Sequence, residues 1–515
     1  MSFMDSLKET LNEDMNVSVT ENGALGYRTS GKNLLDINFA VSSMRNMNDK
    51  AIEDKFAKAF YEDKLLAIKW MFYARDAREG IGERRLFRVC MRFLEREHIE
   101  IAKAVISLVP EYGRWDDILC LIDTSLKDDI IALVKEQLAK DMDNMNQNKP
   151  ISLLGKWCPS ENASSKETKR LAKIIRGELN VTPRQYRKML SKLRKHLKIV
   201  ETYMSAKEWN AIDYAAVPSR ANLIYNSAFL RNDEERRREY LSKLEKGETK
   251  INAGVLFPHD IVHKYNESVG WSLRVKNSDD TALEQMWKAL PDYVKDSGNT
   301  ICVADGSGSM TIKVGGTQVS ALEVANALAI YFAERSSGQF KDNYITFSSR
   351  PQLVDLSKGK SLREKIAISL RHNEVADTNI EAVFNLILQT AINKKMTQEE
   401  LPQNILILSD MEFNSCVVTN SGYGRNIDKR LFKVIADKYA EHGYKLPRLV
   451  FWNINSRTGT IPVKENDLGV ALVSGFSPAI VKMVLSNKTD PFECLVEQLN
   501  TERYDAVETA VKDIV

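Results

Sequence analysis

An apolar run, Ile301-Cys302-Val303-Ala304, ends in Asp305-Gly306-Ser307-Gly308-Ser309. One carboxylate and two hydroxyls in a glycine-rich turn offer only oxygen donors. A hard cation such as Mg²⁺ takes such ligands while keeping several of its waters. A cation held with an open position can then accept an acidic group from a partner. Two further stretches carry matching chemistry. Val375-Ala376-Asp377-Thr378-Asn379-Ile380 is a polar turn that opens an apolar helical pattern (Ile380, Val383, Phe384, Ile387, Leu388) and offers the Thr378 hydroxyl. Ile405-Leu406-Ile407-Leu408 is a short apolar run closed by Ser409-Asp410-Met411-Glu412, which offers the Asp410 carboxylate.

These groups are far apart in sequence, so a scaffold must bring them together. Short apolar runs of this length read as buried strands. Tyr344-Ile345-Thr346-Phe347, Leu449 to Ile454 and Val470 to Val473 are further β-type runs. Between them, Val319 to Glu334 carries Leu322, Val324, Ala325, Leu328 and Phe332 in a helical pattern. The alternation predicts about five parallel strands joined by crossover helices, an open sheet covered on both faces. In a doubly wound sheet, loops at the carboxyl ends of the strands converge on one crevice. Asp305, Ser307, Ser309, Thr378 and Asp410 are therefore expected to meet there.

With these motifs in order, residues 296–515 resemble a von Willebrand factor A domain. The metal-ion-dependent adhesion site of that family uses Asp-x-Ser-x-Ser, then Thr, then Asp. Asp305, Ser307, Ser309, Thr378 and Asp410 match it position by position. The resemblance implies Mg²⁺ or Mn²⁺ as cofactor and a partner that presents an Asp or Glu to it. The plain alternative is that Ser and Gly only form a turn here and Asp410 only ends a strand. That alternative requires three coincidences at once.

Composition sets the outer limits. A chain of 515 residues, 43% hydrophobic and 28% charged, has material for two or more domains with sizeable cores. No run of 18 apolar residues is present, so no transmembrane helix and no membrane partner are expected. The N-terminus lacks the basic-then-apolar pattern of a signal peptide. Cys90, Cys120, Cys158, Cys302, Cys416 and Cys494 are scattered, without CxxC spacing, and the histidines show no zinc-ligand spacing. Reduced thiols in a cytoplasmic, intracellular setting are the plain reading.

The pattern changes near residues 290–299, where Pro291 and Gly298 punctuate a connector. Before it, apolar residues recur at helical spacing, as at Leu86, Val89, Cys90 and Phe93. The reading is an N-terminal extension (1–40), an all-helical, repeat-like α-solenoid region (41–290), and the doubly wound, mainly parallel-sheet domain (296–515). In class this is α plus α/β. A single irregular helical bundle is the alternative for the middle region.

Two basic features stand out in the helical half. Arg75, Arg78, Arg84, Arg85 and Arg88 surround Gly80 and Gly82. They suit phosphate, which guanidinium pairs bidentately, or they pair with Asp76, Glu79 and Glu83 beside them. Residues 166–198 hold twelve Lys and Arg against two Glu, in a chain whose net charge is only +3. From about residue 183, Tyr186, Leu190, Leu193, Leu197, Val200 and Met204 form one apolar stripe. Arg184, Arg187, Lys188, Lys192, Arg194, Lys195 and Lys198 occupy the other faces. Either this is a solvated face or it is a phosphate-backbone surface whose affinity depends steeply on salt. A third cluster, Arg231 and Arg236 to Arg238, lies among Asp233, Glu234 and Glu235 and reads as self-compensated.

Helical repeats followed by a von Willebrand A domain are similar in architecture to the Ro autoantigen, whose helical (TROVE) repeats form an RNA-binding ring. In wording, "KWMFYARDAREGIGERRLFR", "VPEYGRWDDIL", "VPSRANLIYNSAFLRNDEERRREYL", "KINAGVLFPHDIV" and "LVFWNINSR" resemble a domain-of-unknown-function family of plants, fungi and large viruses, phages included, with a von Willebrand A-like C-terminal part. No nucleophile-base set, Gly-x-Ser-x-Gly elbow or zinc motif is present, so no enzyme is expected. The expected function is a binding scaffold for RNA or ribonucleoprotein through the basic helices. The alternative is a metal-dependent protein adaptor without nucleic acid.

Overall fold

The computed structural model describes residues 4, 15–269, 272–295, 299–347, 350–373, 379–413, 431–462, 469–484 and 490–515. The chain divides into two compact units. One comprises Met1–Asp63 and Leu256–Asn500, and the other Lys64–Val255 and Thr501–Val515.

The first unit is built on a six-stranded sheet: β1 (Thr300–Asp305), β2 (Asn343–Phe347), β3 (Leu353–Asp355), β4 (Asn404–Ser409), β5 (Arg448–Asn453) and β6 (Val470–Ser474). Their spatial order is β6-β5-β4-β1-β2-β3. All neighbours run parallel except the edge strand β3, which pairs antiparallel with β2. β1, β4, β5 and β6 are buried almost end to end. That is why they read as continuous apolar runs rather than alternating ones. The five expected strands are present, and β3 is an addition. It is only three residues long, with Val354 buried and Leu353 exposed, too short a pattern to mark a strand in the sequence. The helix Ala321–Arg335 is buried from Ala321 to Ala333 and packs on the sheet, which explains its near-uniform hydrophobicity. Ser320 caps it: the Ser320 hydroxyl accepts from the Glu323 amide at 3.2 Å, and Glu323 accepts from the Ser320 amide at 2.9 Å.

Residues of the expected N-terminal extension pack within this unit. Val17–Val19 and Leu25–Tyr27 form an antiparallel hairpin. Tyr27 and Ile461 then exchange backbone hydrogen bonds, each at 2.8 Å. The helix Asn33–Phe39 packs on β6, and the Asn453 side chain donates to the Phe39 carbonyl at 2.7 Å. Long-range backbone pairing of this kind leaves no local sequence signature.

The second unit is helical. It includes Lys64–Arg75, Arg84–Glu97, Lys127–Asn146, Lys166–Glu178, Pro183–His196, Val200–Ala206, Ser219–Asn232 and Glu234–Glu245. The C-terminal helix Asp505–Val511 packs on Lys64–Arg75 and Ile99–Val105, so the last residues of the chain belong here and not with the sheet. The apolar stripe expected to run unbroken from Tyr186 to Met204 is interrupted. Pro183–His196 stops, Lys198 adopts φ 51°, and a new helix begins at Val200. Left-handed Lys198 closes the helix end, where the Ile199 amide reaches back to the Arg194 carbonyl at 3.3 Å. Cys90, Cys120, Cys158, Cys302 and Cys494 are free thiols, and Cys416 lies outside the described residues. Among the described residues no helix is long and apolar enough to cross a membrane.

Candidate metal centre and basic helical face

The register of β1 on β4 pairs Ala304 with Leu408, so Asp305 and Ser409 follow side by side at the carboxyl ends of adjacent strands. Asp305 is fully buried. Its Oδ1 accepts the Ser307 amide at 2.9 Å, and its Oδ2 accepts the Ser409 hydroxyl at 2.7 Å. The Ser307 and Ser309 hydroxyls are 3.0 Å apart, and Asp410 Oδ1 accepts the Glu412 amide at 3.2 Å. Asp305 and Asp410 are both fully buried, and the Ser409 hydroxyl held by Asp305 belongs to the residue just before Asp410. Met411 sits at φ 63°, an uncommon backbone for a non-glycine residue, and turns the chain sharply after Asp410. Burial, with the Asp410 charge added, pushes the Asp305 carboxyl up to about 7. Burial also raises Asp410, against the lowering effects of Ser309 and Arg457.

Four of the five expected ligands, Asp305, Ser307, Ser309 and Asp410, therefore converge. Thr378, with Asp377 beside it, lies outside the described residues. Among the described residues no group of three His, Cys, Asp or Glu side chains is placed to hold a metal. The donor set here is two carboxylates and hydroxyls, all oxygen, which fits a hard cation and no soft one.

Sequence reasoning missed Ser409, Arg457 and Glu21. Arg457 follows β5, the next strand over, so the same strand-end rule could have found it. Its Nη1 donates to Asp410 Oδ2 at 2.8 Å, and its Nε to Glu21 Oε2 at 2.7 Å. Burial alone would lower this guanidinium, but Asp410 and Glu21 outweigh it and hold it above its ordinary value. Glu412, also fully buried, accepts the amides of Arg457 (2.8 Å), Thr458 (2.9 Å) and Glu21 (2.8 Å). It ties the N-terminal hairpin turn to the loop that carries Arg457, and so orients both loops.

In the helical unit, the arginines of residues 75–88 make ion pairs. Arg75 is buried and donates to Asp117 (Nε to Oδ2, 2.8 Å), so it is corrected from a phosphate ligand to a structural residue. Arg88 reaches the other oxygen of Asp117 at 2.8 Å, Arg84 lies 3.6 Å from Asp116, and Arg78 donates to Glu111 at 3.2 Å. Arg85 is exposed. Asp76, expected to serve a neighbouring arginine, receives Arg503 at 2.8 Å from the other end of the sequence. The glycines serve packing: a Cβ at Gly80 would stand 2.1 Å from the Tyr73 carbonyl oxygen.

Residues 183–198 split in the same way. Arg194 donates to the Gly155 carbonyl (3.0 Å), the Ser160 hydroxyl (2.8 Å) and the Cys158 carbonyl (2.7 Å). It is therefore committed to the fold and withdrawn from the expected nucleic-acid face. Arg187 lies 3.7 Å from Glu161. Arg184, Lys188, Lys192 and Lys195 are exposed, and successive spacings of four, four and three put them on one side of the helix. No ion pair reaches these four, or exposed Lys198, among the described residues. Beside this helix a cleft of about 790 Å³ is lined in part by Trp157, Tyr186, Arg187 and Ser191. Tyr203 and Trp209 are half-buried. In the third cluster, Arg236 pairs with Asp233 at 2.7 Å and Arg238 with Glu234 at 2.8 Å, as expected. Arg237 is fully buried against the rings of Tyr214, Phe229 and Tyr240, 5.0 to 5.3 Å from their centroids.

Residues 20–130 and 165–300 match a domain of unknown function (DUF2828), and residues 299–513 match a second domain of unknown function (DUF7788). The junction of the two matches coincides with the start of β1, close to the change of pattern at residues 290–299. The uncharacterized protein L728 of Acanthamoeba polyphaga mimivirus is 32% identical over 524 residues, 94% of this chain and 87% of that protein. At that identity over nearly the whole of both chains, the protein belongs to one family with this viral relative, and it joins the two domains of unknown function in a single chain.

Proposed function

We propose that the chain is a non-enzymatic binding scaffold. In this reading the sheet-containing unit is von Willebrand A-like and holds Mg²⁺ or Mn²⁺ through Asp305, Ser307, Ser309 and Asp410, with Thr378 as the fifth member of the set. The observation that carries the reading is the meeting of Asp305 and Asp410, both fully buried, at the ends of adjacent parallel strands. Two buried carboxylates are costly together unless cation charge offsets them. A bound cation would supply an open coordination position for an acidic side chain of a partner protein. The protein's own part is to fix the oxygens: Ser409 orients Asp305, and Glu412 fixes the surrounding loops.

The helical unit, in the same proposal, is a TROVE-like array that contacts RNA. The support is specific: a stripe of Arg184, Lys188, Lys192 and Lys195 that is exposed and free of ion pairs among the described residues, next to a cleft with an aromatic wall. Charge of this kind gains from a polyanion by counterion release, so binding falls steeply with salt.

One set of measurements on the full chain tests both halves. Mg²⁺ or Mn²⁺ raises the melting temperature of the wild type and leaves Asp305→Ala unmoved. A fluorescent single-stranded RNA binds at low salt and weakens by orders of magnitude toward physiological salt. Lys188, Lys192 and Lys195 changed together to Glu lower that affinity at least tenfold and flatten the salt dependence, while Asp305→Ala leaves it intact. If RNA fails to bind at low salt, the RNA reading is lost and the cation-dependent protein adaptor stands alone. If no cation shifts the melting curve of either the wild type or Arg457→Ala, the metal reading is lost.

A further inference from the structure

We infer that Arg457 is a built-in counter-cation at Asp410, and that a divalent ion enters by displacing it. The inference rests on the metal reading above and concerns how that same site is regulated. Asp410 Oδ2 accepts Arg457 Nη1 at 2.8 Å, and the other oxygen of the same carboxylate accepts the Glu412 amide at 3.2 Å. A guanidinium and a divalent cation compete for such an oxygen, since each requires its negative charge.

Arg457 is placed to yield. It is about a quarter exposed, whereas Asp410 is fully buried. Its Nε and Nη2 are both held by Glu21 in the turn of the N-terminal hairpin. Its own amide is fixed by Glu412, which also takes the Glu21 amide. Backbone and hairpin thus stay anchored while the guanidinium swings off Asp410 onto Glu21, which remains to neutralise it. The arrangement sets a threshold: the cation must outcompete an intramolecular partner already in place. It also leaves a guanidinium at the rim of the site once the cation is bound, suited to a partner that presents a carboxylate.

The experiment is Mn²⁺ binding to the full-length protein, read by electron paramagnetic resonance of free Mn²⁺, for the wild type, Arg457→Ala and Arg457→Gln. Both variants are expected to bind one Mn²⁺ at least tenfold more tightly than the wild type. A wild type that binds undetectably beside a variant that binds one ion supports the exchange equally. Equal or weaker binding by folded variants, with the wild type binding, overturns the exchange and leaves the metal reading standing. If no protein binds Mn²⁺, the metal reading fails and the exchange falls with it. Arg457→Gln keeps much of the length and the polarity of the side chain, so it decides the matter if Arg457→Ala does not fold, as judged by circular dichroism.

Discussion

The two units place charge in opposite ways. In the sheet-containing unit, Asp305 and Asp410 lie wholly inside, at strand ends, held by the Ser409 hydroxyl, backbone amides and Arg457. In the helical unit, Arg184, Lys188, Lys192 and Lys195 lie outside, solvated, with no ion pair among the described residues. A buried charge is costly and is kept only with partners that offset its desolvation. An exposed one costs little, and its value emerges only with a polyanion. The helical unit also holds the first kind a few residues from the second: Arg75 sits inside on Asp117 and Arg194 on the backbone of residues 155–160. Density of charge along the chain therefore does not identify a binding surface. The partner each charge finds does.

The largest test of this contrast is at Asp117. It is fully buried and accepts Arg75, Arg88 and the Arg114 amide at 2.8, 2.8 and 3.0 Å. Asp117→Ala leaves two guanidiniums without it and is expected to cost about 3–5 kcal/mol. Its neighbour Asp116, 28% exposed and 3.1 Å from Arg88, is expected to cost about 0–1 kcal/mol when changed to Ala. Urea denaturation of the full chain, followed by far-ultraviolet circular dichroism, measures both. Equal losses would break the distinction between inside and outside pairs.

A middle-sized effect separates two cations on one helix. Arg194→Ala removes three hydrogen bonds and is expected to cost about 1–3 kcal/mol. Lys192→Ala, exposed, is expected to stay within about 0.5 kcal/mol of the wild type. The same denaturation curves report both. Under the proposed RNA reading the ranking reverses: Lys192→Ala is expected to weaken RNA affinity directly, while any effect of Arg194→Ala should follow the stability of its helix.

Much of the sheet and of the site was legible because both obey local rules. Strands buried on both faces appear as unbroken apolar runs, and ligands in such a sheet gather at the carboxyl ends of the strands. Asp305, Ser307, Ser309 and Asp410 could be placed on those grounds. Arg457 obeys the same rule, one strand further, but a search for oxygen donors passes over a guanidinium. The N-terminal hairpin was illegible for another reason: its partners are Glu412, Phe413 and Ile461, and pairing across such a distance is carried largely by backbone groups that every residue has. The charge of the arginines at residues 75–88 was legible, and so was an ion-pair reading. Their partners Asp116, Asp117 and Glu111 were not, since tertiary packing chooses them. The break at Lys198 was hidden because a lysine gives no sign of a left-handed backbone.

The smallest effect sharpens the comparison inside the sheet-containing unit, where buried carboxylates need not be alike. Burial pushes Asp305 up, with Asp410 adding to it. Burial acts the same way on Glu323, but there the bonds from His263 (2.8 Å), the Ser320 amide (2.9 Å) and Asn266 (3.1 Å) outweigh it and hold the carboxyl below its ordinary 4.5. A depressed folded value means that the unfolded chain binds the proton more readily. The stability from the Glu323 charge is therefore fully present above 4.5 and is lost as pH falls through the folded value. Glu323→Gln keeps the capping geometry of the helix, since Gln serves that position as well, and removes only the charge. It is expected to cost about 1 kcal/mol at neutral pH. The difference from the wild type should shrink toward zero below the folded value of Glu323, as followed by urea midpoints across that range. A deficit that stays constant with pH would mean that shape and hydrogen bonding, and not ionisation, set the worth of this carboxylate, and the contrast with Asp305 would then rest on burial alone.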